Sequence, residues 1–182
     1  MLVRIRAAGV NFAETLMRED RYAVTPELPA VLGTEAAGTI EALGEGVGGP
    51  AVGERVAVPL FASGAFFGGY ADHVVVDAGL AVPLPDALSF EDATALMVQG
   101  LTALHLTKQA PPQGKTVLVT AAAGGVGTFL VQLAKRAGAR TVIAAASTAD
   151  KLDRARSLGA DVGVDYTRPS WVESLRAGSV AR

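Results

Sequence analysis

The chain contains no cysteine, so no disulfide forms and no thiolate is available to hold a metal. Histidine is scarce as well: His73 and His105 lie far apart and neither has a ligand-like companion nearby. Basic excess is missing, since the net charge is −2, and no positive field argues for nucleic acid. No apolar run reaches the roughly 18 residues that span a bilayer. The first residues, Met1-Leu-Val-Arg-Ile-Arg6, alternate apolar and charged side chains and lack the continuous apolar core of a signal peptide. These absences make a soluble, cytoplasmic protein the expectation. Hydrophobic residues make up 50% of the 182, enough to build a real core in one large domain or two small ones.

The first half reads as β-rich. Strand-like segments are expected at Leu2 to Ala8, Val31 to Leu43, Val52 to Val58, Ala71 to Val76 and Leu80 to Pro83. Gly and Pro punctuate them, as at Gly44-Glu-Gly-Val-Gly-Gly-Pro50. Short strands broken this way suggest a barrel or a sandwich. Phe12 to Arg18 is a short helical exception. A longer helical region starts after Ser89, a suitable N-cap with Glu91 and Asp92 in the first turn, and Gly100 is expected to split it in two.

The most informative stretch is Thr120-Ala-Ala-Ala-Gly-Gly-Val-Gly127. It follows the apolar run at 116–119 and opens the helical segment Thr128 to Ala137, which ends at Gly138. A strand, a glycine turn and a helix in that order let backbone N–H groups approach a pyrophosphate at a helix N-terminus, where the dipole favours anions. Ala123, Gly124, Gly125, Val126 and Gly127 are the residues this assigns to a cofactor; a tight turn without a ligand is the plainer reading. The pattern then repeats. Arg140 to Ala145 is a second strand, Thr148 to Leu158 a helix with Gly159 just beyond it, and Val162 to Asp165 a third strand. Trp171 to Ala177 begins another helix. This is the first half of a doubly wound parallel sheet. The chain therefore reads as a fragment of a longer two-domain protein.

Several ordered motifs resemble the zinc-free, zeta-crystallin-like quinone oxidoreductases of the medium-chain dehydrogenase/reductase superfamily. They are Ala7-Ala-Gly-Val-Asn-Phe12, Leu32-Gly-Thr-Glu-Ala-Ala-Gly38, Val52-Gly-Glu-Arg-Val56, Gln99-Gly-Leu-Thr102, Ala121 to Gly127 and Leu158-Gly-Ala-Asp161. The resemblance implies an α/β protein with a β-rich N-terminal part. It consists of a GroES-like barrel over residues 1–95, carrying substrate and catalytic groups, and a partial Rossmann domain over 96–182 that binds NADPH. It implies a homodimer at full length and an active site in the cleft between domains; from the charge balance and the short apolar runs, no nucleic-acid or membrane partner is expected.

Proteins of this sheet type that take NAD usually carry an acid at the end of the second strand, about 20 residues past the glycines. Ala144-Ala145-Ala146-Ser147 has none, and the missing carboxylate favours NADPH. By resemblance Ser147, Lys151 and Tyr166 contact the adenosine phosphate or ribose. Lys151 as a solvated charge and Tyr166 as a packing residue are the alternatives. Zinc-dependent members of the superfamily have cysteine where this chain has Asn11, so alcohol oxidation with a zinc Lewis acid is not expected and no metal site is assigned. What remains is hydride or electron transfer to a quinone, an alkenal or an enone, helped by neutral hydrogen-bond donors. By resemblance Asn11 is the leading donor, although its spacing to Glu14 also fits a capping box. Tyr22 and Thr102 are the other catalytic candidates. A non-catalytic nucleotide-binding role is the remaining alternative.

Overall fold

A computed structural model describes residues 1–62, 67–173 and 175. The chain divides into two compact units, Met1–Val98 and the part from Gln99 onward. The GroES-like plus half-Rossmann architecture expected from the sequence is the one observed, in the form set out below.

In the first unit, β1 (Leu2–Ala8), β2 (Ala36–Ala42), β3 (Arg55–Val58), β4 (His73–Val75) and β5 (Val82–Pro83) form one antiparallel sheet in the order β4-β1-β2-β3-β5. Its core gathers Val3, Ile40, Val56, Val58 and Leu60, alternate residues that the period-two pleat turns to one side. The opposite side takes α2 (Phe90–Ala95) through Ala37, Ala57 and Ala93, small residues that let a helix lie close to the sheet. Ser89 caps α2 as expected, its hydroxyl accepting from the Asp92 N–H at 3.0 Å. Helix α1 (Phe12–Met17) follows Asn11, which has extended geometry.

Two boundaries differ from the sequence reading. The strand expected from Val31 begins only at Ala36, because Gly33 sits at φ 100° and the Thr34 and Glu35 side chains turn inward to polar partners. The break expected at Gly100 is a π turn over Leu96–Gly100 rather than a simple kink.

The second unit begins with α3 (Leu101–Gln109) and continues with β6 (Thr116–Thr120), α4 (Gly125–Arg136), β7 (Thr141–Ala146), α5 (Ala149–Ser157) and β8 (Val162–Asp165). The three strands are parallel in the order β6-β7-β8. β7 is the central strand, and Val142 to Ala146 are all buried, as a strand covered on both faces requires. Val131, Ala134 and Ala155 from the helices complete that core. Helix α4 starts three residues before the expected Thr128: Gly124 is extended and its carbonyl accepts from the Thr128 N–H at 2.9 Å. Thr148 caps α5, and Gly159 closes it at φ 112°. Of the helix expected over Trp171 to Ala177, residues 174, 176 and 177 lie outside the described residues, as do 63–66 of the aromatic loop Phe61 to Tyr70.

Candidate functional site: a glycine-turn edge and a buried carboxylate cluster

The carboxyl ends of the three parallel strands come out in line. Thr120 pairs with Ala145, and Ala146 pairs with Asp165. The turns that leave those strands and the first turns of the helices that follow hold the cofactor residues predicted from the sequence. The first is Ala121 to Gly124. Ala121 takes a left-handed φ of 48°, its carbonyl accepts from the Gly124 N–H at 2.8 Å, and the chain is thereby bent directly into α4. The first N–H groups of a helix have no acceptor within it, so this turn presents donors and the positive end of the helix dipole together. Gly124 and Gly125 are exposed and Ala123 and Val126 half-buried, while Gly127 is buried. Gly127 has a packing reason to be glycine: a Cβ there would stand 2.3 Å from the Ala121 carbonyl oxygen and 2.8 Å from the Ala122 Cα.

The second turn carries Ser147 and Lys151, whose Nζ donates to the Ser147 Oγ at 3.2 Å. The third carries Tyr166, exposed and tied to the second strand by its N–H, which donates to the Ala146 carbonyl at 3.2 Å. Beside it the Asp165 carboxylate accepts from the Thr167 hydroxyl at 2.7 Å and N–H at 3.0 Å, with Arg168 at 3.4 Å. Those Thr167 bonds, followed by the Arg168 charge, hold the Asp165 carboxyl below the usual carboxylate range. The edge therefore offers backbone donors, a hydroxyl and a lysine; the Asp165 carboxylate is already engaged, and Asp150 stands in the first turn of α5.

The first unit holds a different polar centre, little of which is legible in the sequence. Glu14 and Glu35 are each only 2% exposed. One Glu14 oxygen accepts from the Thr34 N–H (2.8 Å) and hydroxyl (3.0 Å). The other accepts from the Asn11 N–H (2.7 Å) and from the Tyr70 phenol. The Asn11–Glu14 bond is the N3-to-cap arm of the capping box that the spacing suggests. The Asn11 amide nitrogen donates to Glu35 at 3.0 Å and to Thr34 at 3.3 Å. Glu35 takes a further bond from the Val98 N–H at 2.7 Å. Burial raises the Glu35 pKa and the nearby Glu14 charge adds to it, against the pull of the Val98 and Asn11 bonds. The Tyr70 phenol is likewise pushed up, by desolvation first and then by the Glu14 carboxylate it donates to.

Of the three catalytic candidates, Asn11 is thus buried in this network with its amide nitrogen turned inward. Tyr22 is 42% exposed in the loop between α1 and β2. Thr102 is exposed in the first turn of α3, in the second unit. His73 lies on β4 against Glu41 at 2.7 Å, and His105 lies on α3. The described residues hold no group of three or more His, Cys, Asp or Glu side chains placed for a metal. The chain has no cysteine, so a zinc site built on thiolates has no ligands here. No helix among the described residues is long and apolar enough to cross a membrane.

A GroES-like sheet domain joined to the front of a dinucleotide-type α/β domain defines the class of this protein: a nucleotide-linked oxidoreductase fold. Residues 1–86 match the alcohol dehydrogenase GroES-like domain, and residues 125–179 match the zinc-binding dehydrogenase domain. Along nearly its whole length the chain is similar to quinone oxidoreductases. It is 43% identical to a quinone oxidoreductase of Pseudomonas aeruginosa over 91% of this chain and 50% of the relative. It is 38% identical to a 2-haloacrylate reductase of a Burkholderia species, over 96% and 53% respectively. The crystal structure of Escherichia coli quinone oxidoreductase complexed with NADPH superposes with a TM-score of 0.89 at 36% identity, covering 98% of this chain and 54% of that one. The chain spans about half the length of the curated relatives it matches.

Proposed function

We propose that this chain is the GroES-like domain and the front of the cofactor domain of an NADPH-dependent, zinc-independent quinone oxidoreductase. The observation that carries the reading is the strand-end edge, where a glycine turn, Ser147, Lys151 and Tyr166 are brought together and the end of β7, Ala144 to Ser147, has no carboxylate. A relative's complex with NADPH supports it. The residues present fit that cofactor. The 121–127 turn and the α4 N-terminus hold the diphosphate, Lys151 and Ser147 take the 2′-phosphate, and Tyr166 lies against the adenosine. Lys151 supplies the charge that distinguishes NADPH from NADH.

When bound, the nicotinamide supplies a hydride to the quinone. The chain's own part is to bind, to orient and to donate hydrogen bonds where the quinone oxygen gains charge. Tyr22, in the first unit, and Thr102, in the second, are each proposed as such a donor. Asn11, with its nitrogen bonded to Glu35 and Thr34, acts as a positioning residue of the first unit. The hydride and one proton from water together complete the hydroquinone. Full-length assembly as a homodimer goes with this reading.

The test is a titration of the chain with NADPH and with NADH, followed by addition of a simple 1,4-quinone. NADPH binds tighter, and Gly125→Asp removes binding by placing a carboxylate against the diphosphate. Equal affinity of wild-type and Gly125→Asp for NADPH would refute the assignment. The 2-haloacrylate reductase relative favours a second reading, reduction of an activated C=C bond with the same cofactor. Turnover of the full-length protein on an enone, and none on a 1,4-quinone, would select it.

A further inference from the structure

Within the second unit, a polar side chain from outside the glycine turn reaches it. Gln99, the residue before Gly100, ends its carboxamide over Gly125. A Cβ built on Gly125 would lie 2.8 Å from the Gln99 Cδ, 2.9 Å from its Oε1 and 3.0 Å from its Cγ. Gly125 is the first residue of the twelve-residue helix α4, and it is exposed. The Gln99 side chain is half-buried, and its backbone belongs to the π turn over Leu96–Gly100. A π turn adds one residue to a helical stretch and re-aims the side chains beyond it, a device often found at functional sites. The turn 121–127 itself contains no cation and no side-chain hydrogen-bonding group. An anion there is met by backbone N–H groups alone unless a neighbour contributes.

We infer that Gln99 is a further cofactor-binding residue, whose carboxamide flanks the diphosphate at the α4 N-terminus and donates an N–H to one of its oxygens. The inference rests on the nucleotide site proposed above. A carboxamide suits the position because it donates without adding charge, and it can turn its oxygen toward the helix N–H groups or its nitrogen toward the ligand. It also gives Gly125 a second reason to lack a side chain: a methyl there would displace the Gln99 carboxamide from its place.

The test compares wild type, Gln99→Ala and Gln99→Glu by calorimetric titration with two probes, NADPH and adenosine 2′-monophosphate, which has the 2′-phosphate but no diphosphate. Loss of one hydrogen bond to a charged group weakens NADPH about tenfold in Gln99→Ala. The carboxylate of Gln99→Glu weakens it further, while adenosine 2′-monophosphate binds all three proteins alike. Thermal melts confirm that the variants fold. NADPH affinity unchanged in both variants would overturn the inference, and so would an equal loss for both probes, which would mark a residue that only holds the turn's shape. Wild-type chain that binds adenosine 2′-monophosphate but gains nothing from the rest of NADPH would also overturn it, while leaving the adenosine half of the site intact. Wild type binding neither probe would instead sink the nucleotide reading itself, and this inference with it.

Discussion

Replacing Glu14 with alanine tests the buried cluster most directly. Its carboxylate accepts from two backbone N–H groups, of Asn11 at 2.7 Å and Thr34 at 2.8 Å, and from the hydroxyls of Thr34 and Tyr70. The hydroxyls can rotate to other acceptors, but the two N–H groups cannot. A buried donor left without a partner costs roughly 1–3 kcal/mol, so Glu14→Ala should destabilise the first unit by about 2–6 kcal/mol before any cavity is counted. A domain's whole stability is about 5–15 kcal/mol, so the variant would bring the unit close to unfolding. Glu14→Gln keeps the volume and one acceptor but turns an NH2 group against one donor pair, and should lose about half as much. The assay is urea denaturation followed by far-UV circular dichroism, with exposed Glu27→Ala as the control, expected within about 0.5 kcal/mol of wild type. If Glu14→Ala unfolded at the same urea concentration as Glu27→Ala, the carboxylate would not be holding those donors and the reading of the cluster would be wrong.

Three further outcomes follow from single contacts. Gly127→Ala drives a methyl into backbone atoms of Ala121 and Ala122, so α4 must lift from β6. A loss of about 1–3 kcal/mol is expected in a melt, whereas Gly125→Ala meets only the Gln99 side chain and should melt near wild type. Lys151→Glu should weaken NADPH much more than NADH in parallel titrations; an equal loss for both would mean that Lys151 does not read the 2′-phosphate. Glu41, bonded to Arg4 and His73, has its pKa lowered to about 2, first by the Arg4 hydrogen bond. Its folded value lies below its unfolded one, so its contribution is present above the ordinary value of 4.5 and is lost as pH falls toward 2. Acid denaturation of Glu41→Gln should therefore lack that part of the slope. An unaltered acid transition would show that the cross-strand pair contributes nothing.

What the sequence made legible was local. The apolar run of β7 is readable because a strand covered on both faces must be apolar throughout, and Gly159 because helices often end on a residue with positive φ. The start of α4 was not, since Gly124, Gly125 and Gly127 have poor helix propensity and the apolar periodicity sets in only beyond them; the first hydrogen bond nonetheless runs back to Gly124. The polar cluster was hidden for another reason. Its bonds link residues 20, 24 and 56 positions apart, and no window along the chain contains both ends. Thr34 and Glu35 read as part of a strand-like segment. The glycines around them were visible only as punctuation. Gly9 lies so close to Glu35 that a Cβ would stand 2.0 Å from its Oε1, and one on Gly33 would stand 2.7 Å from the Gly69 Cα. These glycines mark where the backbone must come close enough to enclose two carboxylates. Close approach is a property of the folded unit, so the sequence shows such a residue as a turn while the structure shows it as the wall of a site.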